Sequence, residues 1–405
     1  MSRDLSHSLK VLLIILLCIA AWGVTGCRTE VRYADTDEDG DTEITGTLTI
    51  FKSNEELAVY LKDQYSKSVY SDYSYALTER ASSAGSGDSV DGAGSAEQSS
   101  YDAASSNDTD GCTGTNLQES GVDESDVVKT DGDYLYIAEN DTVTVVSATN
   151  PMATVSTITV NGSVDSMYLY NSGAGKKMLV LLYAPLNYEG TDWTDTITAD
   201  IASIGIAYWI PIQAKTGIAF YDIANPAAPE EIKTVEADGW LVSSLRVENH
   251  LHVVQQFLPD LPDPYLLDGE IEDMTIEELM PFYSDVTGAS DEGQERQLVA
   301  PEAFYHPGVD GGGSIVTIMT FDLDNPDQTF KSTGVVADAS VVYASTEALY
   351  CTSTYWNYST TDSEEPAEQT IIYKFDISGG RATGAGYASF ETKPKRQKGG
   401  CYDQL

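Results

Sequence analysis

The sequence predicts an all-β chain, a β-propeller, and three observations carry that prediction. One unit recurs: an apolar strand ending in an Asp-apolar or similar pair, an Asn-Pro turn, a second strand, a variable stretch, and an apolar strand near Leu-Tyr or Leu-His. It reads "TVTVVSATNPMATVSTITV" leading to "KKMLVLLY", "IAFYDIANPAAPEEIKTV" leading to "NHLHVVQQF", "IMTFDLDNPDQTFKSTGV" leading to "EALYCTSTYW", and "IIYKFDISGGRATGAGYASF". Its clearest anchors are Tyr221-Asp222-Ile223 before Asn225-Pro226, Phe321-Asp322-Leu323 before Asn325-Pro326, and Phe375-Asp376-Ile377 before Ser378-Gly379. Side chains alternate along the strands, as Leu135 and Ile137 do against Tyr134 and Tyr136, which fits a pleated sheet. The third observation is composition: 41% hydrophobic residues with 25 Tyr among 405 residues supply a core. A unit of this kind cannot bury both faces of its strands alone, so it stacks on its neighbours as radial blades of about four strands and ~40 to 50 residues. A β-sandwich is the architectural alternative; the repeated Asp corner favours the propeller.

At the N-terminus, Arg3 and Lys10 precede the apolar run Val11 to Gly23, which is short for a membrane span. Val24-Thr25-Gly26-Cys27 follows and resembles a bacterial lipobox, which would make residues 1–26 a signal peptide and Cys27 a lipidated first residue. An ordinary signal peptide or an uncleaved anchor is the alternative. Arg28 is not the Asp that retains the resembling lipoproteins at an inner membrane, so the expected location is extracytoplasmic: the outer membrane of a two-membrane cell, otherwise the cell surface.

Residues 27–46 form an acidic tether in which Asp35, Asp37, Asp39 and Asp41 alternate around Gly40. Hard oxygens so spaced begin an EF-hand-like loop, and Ca2+ is the one cofactor the sequence offers. The twelfth position is Gly46 rather than a bidentate Glu, so a solvated acidic linker is the other reading. In residues 47–79, Ser53 or Asn54 caps a predicted helix with Leu57, Tyr60, Leu61 and Tyr65 on one face. Residues 80–113, rich in Ser, Gly and Asp, read as a flexible linker.

The propeller is expected over 114–388, with an acidic insertion at 259–312 in which "TIEELMPFYSD" predicts a short helix. The stretch "TNLQESGVDESDVVKTDGDYLYI" closely resembles the opening signature of a family of predicted secreted bacterial and archaeal proteins with a C-terminal β-propeller domain, and the likeness runs over about residues 48 to 388. Leu245 replaces the first Arg of the family's Ser-Arg pair, although Arg246 follows. From 389 to 405 the pattern gives way to an atypical basic tail with Lys393, Lys395, Arg396 and Lys398, where the family continues for several more blades. The resemblance therefore implies an incomplete propeller, a frameshifted or prematurely ended copy with unpaired edge strands, or else a functional basic tail.

Among chemical groups, the signature's acidic cluster of Asp123, Glu124 and Asp126, with Asp131 beyond it, either binds a cation or holds the chain through turn amides. His250 and His252 share a strand face, and His306 lies in the insertion; three imidazoles ligate a metal only if folding gathers them. Cys112 and Cys351 are the natural disulfide pair in an oxidising compartment, and two free thiols are the alternative. Trp193, Trp209, Trp240 and Trp356 either stack on sugars or pack the rim. No GxSxG elbow, P-loop or dinucleotide fingerprint is present. A net charge of −42 repels a phosphate backbone and excludes nucleic acid as a partner. The expected function is a lipid-anchored binding or scaffold module that meets membrane lipid through Cys27 and a protein or polysaccharide through its loops. The alternatives are a hydrolase or lyase working on extracellular polymer in the propeller funnel, and an inactive truncated product.

Overall fold

A computed structural model describes residues 32–33, 42–66, 119–172, 175–186, 214–259, 271–287, 294–309, 311–357 and 367–392. The signal peptide, Cys27, the four tether aspartates, the linker, Cys112 and the basic tail lie outside the described residues, as do Trp193 and Trp209.

Strands β1 (Arg32–Tyr33), β2 (Thr42–Gly46) and β3 (Thr49–Ile50) precede a helix, α1, over residues 54–66, and β4 (Val122–Asp123) follows it. Four sheets then succeed one another along the chain. Blade I is β5 (Val128–Thr130), β6 (Tyr134–Glu139), β7 (Thr142–Ser147) and β8 (Ala153–Thr159). Blade II is β9 (Gly162–Asn171), β10 (Lys177–Pro185), β11 (Lys215–Asp222) and β12 (Glu230–Asp238). Blade III begins with β13 (Trp240–Val247) and β14 (His250–Phe257). The insertion interrupts it with β15 (Phe282–Asp285), β16 (Arg296–Gln297) and β17 (Phe304–His306), and it resumes with β18 (Ile315–Asp322) and β19 (Lys331–Val336). Blade IV is β20 (Val341–Ala344), β21 (Ala348–Asn357), β22 (Ala367–Asp376) and β23 (Thr383–Thr392). Among the described residues the four blades do not close into a ring.

The four principal strands of each blade form an antiparallel meander, to which β17 adds in parallel beside β19, and the core positions follow from each blade being sandwiched. Along β10, Met178, Val180 and Leu182 belong to the core between blades II and III, whereas Leu179, Leu181 and Tyr183 belong to the core between I and II. A strand covered on both faces needs no polar alternate, which explains the continuous apolar run "MLVLLY". β18 behaves likewise, with Ile315, Met319 and Phe321 facing blade II and Val316 and Ile318 facing blade IV. Each such side chain taken from water contributes about 1.5–3 kcal/mol.

The repeated Asp is a turn device at the end of each third strand. Asp222, Asp322 and Asp376 each accept a hydrogen bond at Oδ1 from the amide two residues on, at 2.8, 3.0 and 2.9 Å. The apolar residue after each Asp, namely Ile223, Leu323 and Ile377, is buried, and its amide donates to Lys177, Asn249 and Glu347 respectively. Blade I uses Ser147 instead, with the Thr149 amide donating to its Oγ at 3.4 Å.

The N-terminal strands complete the outer edges. β2 pairs with β23 from Thr42↔Glu391 to Gly46↔Tyr387, and β3 pairs with β17. The last strand is therefore not the exposed edge that a shortened propeller implies. The predicted helix is present, and its apolar face is sunk in the core between blades II and III: Leu57, Leu61 and Tyr65 are buried there with Phe304 of the insertion. Thr275 to Met280, in contrast, is not the predicted helix. Thr275 and Glu278 exchange capping-box bonds at 2.7 and 3.4 Å, but the chain stays in a turn, and after Pro281 it becomes β15, which pairs with β12.

Candidate functional site

The acidic signature crosses the innermost strands of all four blades. Glu119 accepts from the Tyr343 hydroxyl of β20 at 3.1 Å. β4 pairs with β13 through Asp123↔Arg246 and Val122↔Val247. Asp126 and Met167 of β9 exchange backbone bonds, amide to carbonyl in both directions, at 3.2 and 2.9 Å. The segment then continues as β5, the first strand of blade I. Gly121 makes the turn into β4 at φ +87°, where a Cβ would also meet Thr346 Cγ2 at 2.9 Å.

The aspartates of this segment are engaged. Asp123 accepts from Arg246 Nε at 3.0 Å and Nη2 at 2.9 Å and meets Lys129 Nζ at 3.3 Å. Lys129 also donates to the Glu124 carbonyl at 2.6 Å. Asp126 Oδ1 accepts from the Val127 amide, while Asp131 caps the Asp133 and Tyr134 amides and pairs with Lys177 at 3.0 Å. Of the two readings of this cluster, the geometry is that of a tie through turn amides and ion pairs. Among the described residues no group of three or more His, Cys, Asp or Glu is arranged to hold a metal.

Between the signature and the inner strands of blades III and IV lies a cavity of about 350 Å³. Glu119, Glu124 and Ser125 enter from the signature, Ser243 and Ser244 from β13, and Tyr343 from β20; Val122, Leu245, Val342 and Ala344 supply an aliphatic wall. Its volume is that of a small-molecule site. Ser244 Oγ accepts from the buried Tyr168 hydroxyl at 2.8 Å, which fixes that wall against blade II. Burial, strengthened by the bond to Glu119, raises the Tyr343 pKa and keeps its hydroxyl a donor.

The other sequence candidates lie elsewhere. His250 and His252 do share a face, their rings stacked with centroids 6.5 Å apart. His252 is wholly buried, with Nδ1 3.0 Å from Thr320 Oγ1, and burial together with neighbouring His250 lowers its pKa to about 4. His306 is not gathered to them: it packs on Phe51 and Tyr60 at 4.7 and 5.0 Å. Cys351 is a free, buried thiol in the core between blades III and IV, and burial pushes its pKa up to about 12. Asp238, raised by burial, accepts from the Phe282 amide at 2.8 Å where the insertion meets blade II.

Sequence reading singled out Asp123, Glu124 and Asp126 but not Arg246 and Lys129 as their partners, nor Tyr343, Ser243 and Ser244 as cavity walls. Glu119 sits inside the quoted signature and was within reach. Tyr343 and the two serines are ordinary strand residues that only the stacking of blades brings to the axis.

A family model described as a beta propeller domain matches residues 112–392. No curated protein matches the chain. Among solved structures, the chain is similar to the WD40 domain of SCAP from fission yeast at 9% identity, covering 64% of this chain and 72% of that one with a TM-score of 0.15. It is also similar to two mutants of a Synechocystis apocarotenoid oxygenase. One has 11% identity, coverage of 66% and 58%, and a TM-score of 0.17; the other has 8%, 65% and 70%, and 0.12. Likenesses of that size carry no argument about function.

Proposed function

The chain belongs to the β-propeller domain family, and from that premise we propose that it is a lipid-anchored, extracytoplasmic binding or scaffold module whose ligand occupies the axial cavity. The single observation that carries the binding reading is how the signature is spent. Its carboxylates and backbone tie four blades together, and the same segment walls a ligand-sized space whose other sides are hydroxyl-bearing and aliphatic. On its wall Tyr343 is held protonated, and His252 and Asp238, whose proton affinities are also displaced, lie outside that space. A fixed, mixed polar and apolar wall suits recognition.

The anchoring part is supported by sequence: the charged start, the short apolar run and Val24-Thr25-Gly26-Cys27. Feeding cells a clickable fatty acid is expected to label the full chain and not Cys27→Ser, with the propeller accessible to protease added outside the cytoplasm. An unlabelled wild type, or a propeller protected from external protease, would contradict the anchoring. For the cavity, Ser243→Phe fills the space from an inner strand, and a ligand-observed NMR screen of small polar molecules is expected to give hits on the wild type that this variant loses. Hits that persist in Ser243→Phe would place binding elsewhere.

A further inference from the structure

We propose that the axial cavity selects a small organic cation, an ammonium carried on a hydroxylated frame such as an amino sugar, with Glu119 as the group that fixes the charge. This rests on the reading of the cavity as a binding site and names the chemistry of its ligand.

Charge is the first step. Among the described residues, the acids lining the cavity are Glu119 and Glu124, and no Lys, Arg or His lines it. Lys129 and Arg246, beside the signature, are drawn to Asp123 at 3.3 and 2.9 Å, and Asp123 is not among the lining residues. An anion entering the space would meet the Glu119 carboxylate, whereas a cation meets it as a charge-assisted acceptor. The whole chain acts in the same direction, since a net charge of −42 draws cations towards its clefts and repels anions.

Glu119 is the better placed of the two acids. Its Oε2 is oriented by the Tyr343 hydroxyl at 3.1 Å, so it is held at the seam between the signature and β20. Glu119 and Tyr343 both line the cavity, and the carboxylate suits an ammonium by charge. The frame follows from the remaining lining. Ser243 offers a hydroxyl able both to donate and to accept, Ser125, which accepts from Ser244 Oγ at 3.4 Å, offers one that can donate, and Val122 with Leu245 gives the C–H face of a polyol ring an apolar surface.

Three compounds of one shape separate the terms: glucosamine, glucose and glucuronate, titrated into the full chain at a pH where the amine is charged, with chemical-shift changes read by NMR. Wild type is expected to bind glucosamine about tenfold more tightly than glucose and glucuronate least, the size of one charge-assisted hydrogen bond. Glu119→Gln is expected to remove the glucosamine preference while glucose binding stays within about twofold of wild type. Ser243→Phe is expected to abolish all three. Glu139→Gln, on the exposed end of blade I, serves as the charge control, and unchanged thermal midpoints show that each variant is folded. Equal binding of the three compounds, lost in Ser243→Phe, would overturn the ligand class and leave the binding reading standing. No saturable binding that depends on the cavity would overturn both.

Discussion

A two-point bond from Arg246 to Asp123 ties the signature to blade III. Their side chains are 23% and 20% exposed, so the bond is only partly desolvated and Arg246→Ala is expected to cost about 2 kcal/mol, short of a fully buried pair. Urea unfolding measures that loss, and a double-mutant cycle with Asp123→Asn is expected to show coupling of at least about 1 kcal/mol; additive losses would mean the contact is idle. His252 sets a pH dependence. Its folded pKa of about 4 lies below the ordinary 6.5, so between those values the unfolded chain binds a proton that the folded chain refuses. Its stabilising contribution is therefore complete above pH 6.5 and is lost as pH falls towards 4, by about 3 kcal/mol on the order of 2.303RT per unit. His252→Gln, measured by unfolding across that window, is expected to flatten this part of the profile. Cys351 gives a third residue-level outcome: iodoacetamide is expected to leave it unmodified in the folded chain and to alkylate it on unfolding, read by peptide mass, because its thiol is both buried and held protonated. What was legible here was the Asp in each corner, whose short side chain turns its own backbone. The basic partners of the signature were not, since 123 positions separate Asp123 from Arg246 and no local pattern links them.

Helix α1 shows what periodicity can and cannot say. The spacing of Leu57, Tyr60, Leu61 and Tyr65 marks a single apolar stripe, of which Leu57, Leu61 and Tyr65 are fully buried and Tyr60 partly so. The surface they meet is invisible from the stripe, because it is assembled from blades II and III and the insertion, more than a hundred residues downstream. Leu61→Ala is expected to cost about 2–5 kcal/mol, whereas Val59→Ala, at a position 70% exposed on the opposite side, is expected to stay within about 0.5 kcal/mol. Chemical denaturation of the two variants separates a helix that belongs to the core from one that merely lies beside it. The turn at Thr275 to Met280 teaches the converse. Its capping box is a true helix-start device, but Pro281 ends the turn and the following residues find a sheet edge on β12.

For the molecule as a whole, the order of the blades followed from the repeated corner, since each copy closes one meander. The pairing of β2 with β23 did not, because edge strands a few residues long carry no pattern that names their partner. The charge of −42 is the other global property, and it opposes compaction through self-repulsion. Added sodium chloride is expected to raise the thermal midpoint by screening that repulsion; a midpoint that falls with salt would mean that the ion pairs of the signature outweigh it. The idea that unites these levels is that the acidic signature is the fastener of the propeller and the wall of its binding space. Native-state amide hydrogen exchange tests it most directly, at the reciprocal pair Asp126 and Met167. If the signature fastens the blades, both amides exchange as slowly as the central strands β10 and β18 and are released only by global unfolding. Fast exchange at Asp126 while those strands stay protected would show a segment that merely lies on the propeller, and would contradict this role.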